Sequence, residues 1–109
     1  MDIQRKEIDV YGIKFYIEEK DKELGRAYLY ILRNDLHQRP FGFLEDVFVD
    51  GSVRGEGLGR SLVQKVIEEA RSQNCYKLIC TSRYAKPKVH DLYLRLGFLD
   101  HGKEFRINF

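Results

Sequence analysis

Apolar and polar residues alternate along the first half of the chain. Ile13, Phe15 and Ile17 alternate with the polar positions Lys14 and Glu18, which predicts a strand with one buried face. Two later stretches are rich in aromatic and aliphatic residues, as strands usually are. The predicted strands lie within residues 8–19, 27–32 and 41–49, with loops at 18–25 and 34–40. We expect these three strands to pair as antiparallel hairpins.

Beyond residue 57 the apolar spacing changes to the three-to-four-residue period of a helix. The apolar positions of this stretch are Leu58, Leu62, Val63, Val66, Ile67 and Ala70. They form one stripe and predict a helix over residues 57–72. A second helix is predicted from Pro87, since proline suits a first turn, to Gly97, since glycine commonly ends helices. Its apolar face carries Val89, Leu92, Tyr93 and Leu96.

Two further strands complete the predicted order. Residues 76–81 form a strand between the helices, and residues 104–109 alternate strictly, which predicts a half-exposed last strand. The order is therefore β-β-β-α-β-α-β. Because a strand–helix–strand unit is nearly always right-handed with parallel strands, we expect an α/β fold in which helices cover a mixed sheet.

A glycine-rich segment joins the third strand to the first helix. Backbone N–H groups at a helix N-terminus lack intrahelical partners, and the helix dipole adds positive potential. Gly55, Gly57 and Gly59 leave no Cβ in the way of an approaching ligand. Arg54 and Arg60 supply charge suited to phosphate oxygens. This chemistry predicts a phosphate or pyrophosphate ligand, although a glycine turn that only starts a helix has the same pattern.

The spacing of the glycines narrows the kind of phosphate ligand. No GxxxxGK run followed by serine or threonine is present, and the dinucleotide pattern GxGxxG is also absent. A nucleotide-phosphate module would therefore lack its lysine and its ribose-reading residue. The sequence Arg54-x-x-Gly57-x-Gly59 instead resembles the coenzyme A pyrophosphate loop of the GCN5-related N-acetyltransferases, the GNAT family.

A second motif lies in the second predicted helix. Tyr93 precedes Gly97-Phe98 by four residues, which resembles the closing motif of the same family. Residues 44–49 are similar to the family strand that precedes the coenzyme loop. Residues 74–79 resemble the helix-to-strand connection of some members, glucosamine-phosphate acetyltransferases among them. Because the two motifs occur in the family's chain order, the chain is identified as a GNAT member, with a resemblance that covers residues 41–109.

The resemblance implies a GNAT-like fold, truncated at its N-terminus, that moves an acetyl group from acetyl-CoA to a primary amine by direct attack on the thioester. The third strand would separate from the fourth. Backbone groups of Val47, Phe48 and Val49 would then pair with pantetheine like an added strand. The pyrophosphate would be bound by Arg54, Gly55, Glu56, Gly57, Leu58, Gly59 and Arg60.

The same resemblance implies two catalytic side chains. Tyr93 would protonate the departing thiolate as general acid, and Glu45 would take a proton from the amine as general base. Each has a plainer interpretation, because Tyr93 lies on an apolar stripe and Glu45 is a solvated strand position. Asp46 is the alternative base, or a partner for an acceptor ammonium.

Two features depart from the family pattern. About a dozen residues precede the first strand candidate, where family members have a further strand and helices, so we expect a short wall at the acceptor site. Lys86 stands seven residues before Tyr93, where many members carry an asparagine. One expected coenzyme contact is therefore in question.

Length and charge exclude several classes of protein. The 109 residues suffice for one compact domain, predicted to be residues 1–109. A net charge of +2 is too small for a nucleic-acid binder, and no apolar stretch has the pattern of a signal peptide or membrane span. Cys75 and Cys80 lack zinc spacing, so we expect reduced thiols in a cytoplasmic protein without a bound metal.

Two functions are compatible with these residues. The first is an acetyl-CoA-dependent N-acetyltransferase that acts on a small molecule or a protein amino group. The second is a non-catalytic acyl-CoA-binding or regulatory domain, which the short N-terminus favours and which intact Glu45 and Tyr93 oppose. Aromatic strand residues, Tyr28 and Tyr30 among them, further predict apolar surface that a homodimer would cover.

Overall fold

The computed structural model describes residues Met1–Phe109 as a four-stranded mixed sheet with two helices. Its elements are β1 (Tyr11–Glu19), β2 (Lys22–Leu32), β3 (Phe41–Val49), α1 (Leu58–Ser72), β4 (Leu78–Cys80) and α2 (Pro87–Arg95). The sheet order is β1-β2-β3-β4, with the first three strands antiparallel and β4 parallel to β3. The predicted fold class and the order of these six elements are confirmed. Neither helix combines the length and the apolar composition that a membrane crossing needs.

The connection between β1 and β2 is much shorter than the predicted loop of residues 18–25. Only Lys20 and Asp21 form the turn, and both have left-handed backbone conformations, with φ of 51° and 61°. This two-residue geometry matches the twist of a hairpin. The charged residues of this segment predicted a loop, although most of them belong to the two strands. An ion pair between Lys14 and Glu23 stabilises charged residues on the exposed face of the sheet.

The predicted last strand at residues 104–109 is wrong. The chain beyond α2 forms no helix or strand, and Phe105, Ile107 and Phe109 are almost wholly exposed. Strict alternation gives a segment a strand-like face, but a strand also needs a hydrogen-bonding partner. The free edge of β4 is only three residues long, and no part of the tail pairs with it.

The core lies between α1 and one face of the sheet. Leu29, Ile31 and Leu44 from the sheet and Val63 and Val66 from α1 are each less than 2% exposed. At 20–33 cal/mol per Å² of apolar surface, each such side chain contributes roughly 1.5–3 kcal/mol to folding.

Glycine at one strand position allows this close packing. A Cβ on Gly42 would lie 2.9 Å from Leu78 Cδ1 and 3.0 Å from Leu29 Cδ1, so both leucine side chains would have to move to accept it. The absence of a side chain there lets β4 and α1 close over β3. The opposite face of the sheet carries no helix, and Tyr28 and Tyr30 stack on it with ring centroids 6.3 Å apart.

Candidate active site

The strands β3 and β4 separate halfway along β3. Their pairing joins Gly42 to Leu78 and ends where Leu44 meets Cys80. The second half of β3, from Glu45 to Val49, remains paired with β2 but has no strand on its other edge. The predicted separation is confirmed, and it leaves a gap with a free strand edge on one side.

The backbone groups that face this gap follow from the register after a bulge. Asp46 has a left-handed backbone (φ 51°), and the pairing of β2 with β3 shifts at this point. Beyond it, the Asp50 N–H donates to the Leu24 carbonyl on β2 at 2.8 Å. Because successive residues of a strand direct their N–H and C=O groups to alternate edges, Val47 and Val49 face the gap.

Phe48 is the exception among the three residues predicted to pair with pantetheine. It lies opposite Arg26 in the register, and the alternation directs its backbone groups toward β2. The expectation that its N–H and C=O are free is therefore corrected. Its ring instead lies beneath the Arg26 guanidinium, 4.7 Å from centroid to Cζ.

The glycine loop contains two kinds of glycine. Gly55 and Gly57 have φ of 88° and 78°, a region that residues with a Cβ rarely adopt. Gly59 has an ordinary helical backbone, and a Cβ there would lie 3.6 Å from Val49 Cγ2, an ordinary contact. The backbone path therefore requires glycine at Gly55 and Gly57. At Gly59 the backbone does not require it, and the missing side chain leaves space at the N-terminus of α1.

The N-terminus of α1 is open. Gly57 occupies the N-cap position without a side-chain hydrogen bond, and no acidic residue lies in the first turn. The first intrahelical bond runs from the Ser61 N–H to the Gly57 carbonyl at 3.0 Å, so the three preceding N–H groups are free. Exposed Arg54 and Arg60 flank them. This set of donors and charges fits a pyrophosphate.

Tyr93 lies at the inner end of the gap. Its ring packs against the core and against Phe98, with centroids 5.3 Å apart. Burial, with a smaller effect of neighbouring Cys80, raises the Tyr93 pKa to about 12. Burial also raises the pKa of the Cys80 thiol to about 11. Both groups are therefore protonated at neutral pH, and the Tyr93 hydroxyl is able to donate a proton.

Glu45 lies on the other face of the sheet. Leu44 is buried beneath α1, and alternation places the next side chain on the uncovered face. Glu45 is exposed there, directly opposite Tyr28 on β2, with exposed Asp46 following at the bulge. Cys80 pairs with Leu44 and shares its face, so Tyr93 and Glu45 approach the gap from opposite sides of the sheet.

Two local contacts near the gap were not anticipated from the sequence. The His90 Nε2 lies 2.8 Å from the Arg83 carbonyl and links α2 to the loop before it. The Asp50 carboxylate accepts hydrogen bonds from the Ser52 N–H and hydroxyl. Neither spacing nor composition identifies such side-chain-to-backbone contacts. Lys86 forms the N-cap of α2 without a side-chain hydrogen bond.

A shallow surface depression lies at the other end of β3, away from the gap. It is lined by Leu36, His37, Gln38, Arg39 and Tyr76. These residues precede β3 and β4, whereas the glycine loop follows β3. The depression is therefore not part of the site at the gap.

Comparison with known proteins gives consistent results. Residues 3–98 match the Acetyltransferase (GNAT) family. A glucosamine 6-phosphate N-acetyltransferase of Trypanosoma brucei brucei is 41% identical over 70 residues, 64% of this chain and 46% of that protein. Glucosamine 6-phosphate N-acetyltransferase 1 of Oryza sativa subsp. japonica is 37% identical over 70 residues, 62% of this chain and 39% of that protein.

The fold is also similar to that of a solved acetyltransferase. A Trypanosoma brucei acetyltransferase superposes with a TM-score of 0.77 and 33% identity, over 92% of this chain and 69% of that chain. The matched segments span less than half the length of the two curated relatives.

Proposed function

Because the chain belongs to the GNAT acetyltransferase family, we propose that it transfers an acetyl group from acetyl-CoA to a primary amine. The observation that carries this proposal is the free edge of β3 beside an open helix N-terminus. A strand edge offers donors and acceptors for the amides of pantetheine, and a helix N-terminus offers N–H groups for phosphates. One ligand that contains both chemistries is coenzyme A.

The coenzyme is proposed to lie along the gap with its pyrophosphate at the glycine loop. Pantetheine amides pair with the backbone of Val47 and Val49, the two residues directed into the gap. The pyrophosphate is held by the first N–H groups of α1 and by the guanidinium groups of Arg54 and Arg60. This places the thioester at the inner end of the gap, near Tyr93.

Acetyl transfer then proceeds by direct attack. The amine nitrogen approaches from the uncovered face, where Glu45 takes one of its protons, directly or through a water molecule. A carbon–nitrogen bond forms, and the oxyanion is stabilised by a gap-facing N–H group, with that of Val47 the nearest candidate. The carbon–sulfur bond breaks as the Tyr93 hydroxyl protonates the thiolate. Exposed Asp46 is the alternative base.

The acceptor is proposed to be a small amine that also carries an anionic group. On the uncovered face, Lys14 and Arg26 share the single carboxylate of Glu23, so this group of three side chains carries one net positive charge. An ammonium would be attracted to Glu45 and an anion to the cationic pair. The names of the two curated relatives make glucosamine 6-phosphate the first compound to test, with unphosphorylated glucosamine and lysine-containing peptides for comparison.

Two glycine substitutions test the coenzyme site. Gly59→Ala adds a methyl group that the fold accommodates, since its Cβ would make only an ordinary contact with Val49 Cγ2. The same methyl group obstructs a phosphate above the helix end, so we expect coenzyme A affinity to fall at least about tenfold by calorimetry. Gly51→Ala is the matched control, since a Cβ there meets nothing within 4 Å. Equal affinity in Gly59→Ala and the parent protein would refute the assignment.

A coenzyme A release assay across the acceptor panel tests the reaction itself. Release that depends on an amine supports the transferase. Coenzyme binding without release with any acceptor would instead indicate the non-catalytic acyl-CoA-binding domain.

We also propose that two copies of the chain associate. Tyr11 and Tyr16 are exposed on the edge strand β1, which β2 separates from Glu45 on β3, so an interface along β1 would cover apolar surface and leave the acceptor side of the gap open. Light scattering at high micromolar concentration should exceed the monomer mass of 12.9 kDa. A cytoplasmic location is proposed as well, supported by two cysteines that form no disulfide.

A further inference from the structure

Asp50 makes several contacts at the point where β3 ends. Its N–H donates to the Leu24 carbonyl at 2.8 Å, which fixes it to β2. Its carboxylate accepts hydrogen bonds from the Ser52 N–H, at 3.0 Å, and from the Ser52 hydroxyl. The same carboxylate lies 3.4 Å from Lys22 Nζ, at the start of β2. Asp50 therefore joins the β1–β2 hairpin to the loop that follows β3.

These contacts shape the path into the glycine loop. The Asp50 carbonyl accepts the Val53 N–H at 3.1 Å and closes a single 3₁₀ turn over Gly51–Val53. Arg54 follows in an extended conformation (φ −66°, ψ 148°), and its Nε donates to the Val49 carbonyl at 3.2 Å. The turn thus returns Arg54 to the gap-facing edge of β3.

We propose that Asp50 is a positioning residue for coenzyme binding: it holds the Gly51–Val53 turn so that Arg54 faces the phosphates before the ligand arrives. The inference rests on the proposed function. A loop that is already ordered loses less conformational entropy on binding, so the effect appears in affinity. Asp50 acts through the turn and through Arg54, and it does not contact the coenzyme.

A carboxylate near a phosphate site would normally repel the ligand. Here the negative charge of Asp50 is compensated by Lys22 and by two donors from Ser52. The hydrogen bonds from Ser52, with a smaller contribution from Lys22, also keep the Asp50 pKa below its usual value. The Asp50 side chain is only 23% exposed, so water has little access to take the place of Lys22 and Ser52.

Substitution of Asp50 tests the proposal in the full chain. Asp50→Ala removes every side-chain contact, and we expect the KM for acetyl-CoA and the Kd for coenzyme A to rise roughly five- to tenfold, the usual size for loss of a capping-type carboxylate. At saturating acetyl-CoA, kcat should stay within about twofold, because the thioester and its catalytic groups are unchanged. Asp50→Asn keeps an oxygen for the Ser52 N–H and should retain most of the affinity.

The remaining variants separate this role from general stability. Glu18→Gln removes an exposed carboxylate of the β1–β2 hairpin and should leave both constants unchanged. Should Asp50→Ala fail to fold, the double variant Lys22→Gln with Ser52→Ala removes the ion pair and the hydrogen bond from the Ser52 hydroxyl but keeps the bond from the Ser52 N–H, and it should weaken coenzyme A binding by a smaller factor.

The outcomes distinguish this inference from the proposed function. A parent protein that does not bind coenzyme A refutes the function. A parent protein that binds, with equal affinity in Asp50→Ala or in the double variant, overturns the positioning role alone. A fall in kcat with unchanged KM also overturns it, because a positioned phosphate loop acts on binding and not on the chemical step.

Discussion

The helices α1 and α2 pack on the same side of the sheet but are anchored very differently. In α1, Leu62, Val63, Val66 and Ala70 are buried in the core. In α2 no residue is fully buried, and its apolar side chains lie at the edge of that core. The longer helix therefore carries most of the packing energy, while the shorter one holds Tyr93 beside the gap. Stability and chemistry are assigned to different helices.

The two helix N-termini differ as well. At α1, Gly57 leaves the first N–H groups open, and two arginines stand nearby. At α2, Pro87 occupies the first turn and lacks an N–H, which removes one of the donors. Lys86 and Lys88 also place positive charge at the N-terminus of α2, but the Val89 N–H there already donates to the Lys86 carbonyl at 3.1 Å, so only α1 presents a set of free N–H groups. The presence of a helix end is thus not enough, and the residues around it decide whether it binds a ligand.

The largest expected effect is on packing beneath α1. Leu62→Ala should lower the free energy of unfolding by about 2–5 kcal/mol, since it leaves a cavity at a side chain only 4% exposed. Leu92→Ala, at a half-buried position of α2, is the matched control and should cost less than half as much. Urea denaturation of both variants measures the difference. Equal losses would mean that α2 is as firmly packed as α1.

The next effect separates chemistry from packing within α2. Tyr93→Phe removes only the hydroxyl oxygen, so coenzyme affinity and unfolding free energy should change little. Turnover should fall by at least about tenfold, or ~1.4 kcal/mol of transition-state stabilisation, near the lower end for a general acid. Steady-state kinetics with a working acceptor decides the matter. Turnover equal to that of the parent protein would make Tyr93 a packing residue and water the proton source.

A smaller effect would bring α2 closer to α1 in stability. Lys86 is the N-cap of α2 and provides no acceptor for the helix N–H groups. Lys86→Asn supplies one and should stabilise the helix by about 0.5–1 kcal/mol. Slower hydrogen exchange of α2 amides, with α1 amides unchanged, is the expected readout. Exchange that slows equally in both helices would show that they open as one unit.

The smallest effect at neutral pH concerns two ionisable side chains beside the gap, those of Cys80 and Tyr93. The pKa of Cys80 rises from 9.0 to about 11, and that of Tyr93 from 10.0 to about 12, mainly because burial disfavours the charged forms. Below about pH 8 both groups are protonated in the folded and unfolded chains, so they cause no pH dependence there. From pH 9 upward the unfolded chain loses these protons first, and stability should fall as pH rises toward 12.

Comparison of the parent protein with Cys80→Ala tests this loss of stability at alkaline pH. Thermal unfolding of the parent protein between pH 7 and 11 should show a steeper decline than that of Cys80→Ala, which lacks one of the two groups. Identical slopes would mean that Cys80 is not shielded from solvent in the folded chain.

Much of the fold was predictable because local pattern and tertiary structure agree. The bounds of β3 were correct, and the bounds of α1 differed by a single residue, since strong apolar periodicity marks both. Gly97 was correctly expected to end α2, and its φ of 102° shows why a glycine is needed there. The family was identified because two motifs keep their order in the chain. The order of the six elements was therefore visible from residue types, whereas the gap was expected from the resemblance to the family.

Other features depend on partners that sequence patterns do not encode. The tail of residues 104–109 alternates like a strand, but no neighbour pairs with it. The left-handed Asp46 shifts the register and redirects Phe48 toward β2, which no propensity of aspartate specifies. The roles of Glu45 and Tyr93 remain predictions, because chemistry at a site depends on the bound substrate.

The uneven pairing of β3 also has a consequence for the route by which the chain folds. Strands β1, β2 and β3 are sequential neighbours in the sheet, so their contacts close short loops at little entropic cost. The pairing of Leu44 with Cys80 instead requires the whole of α1 to form and cross over first. Because contacts distant in sequence form slowly, we expect the three-stranded meander to form early and β4 to dock last. The gap between β3 and β4 would then mark the boundary between early-folding and late-folding parts of the chain.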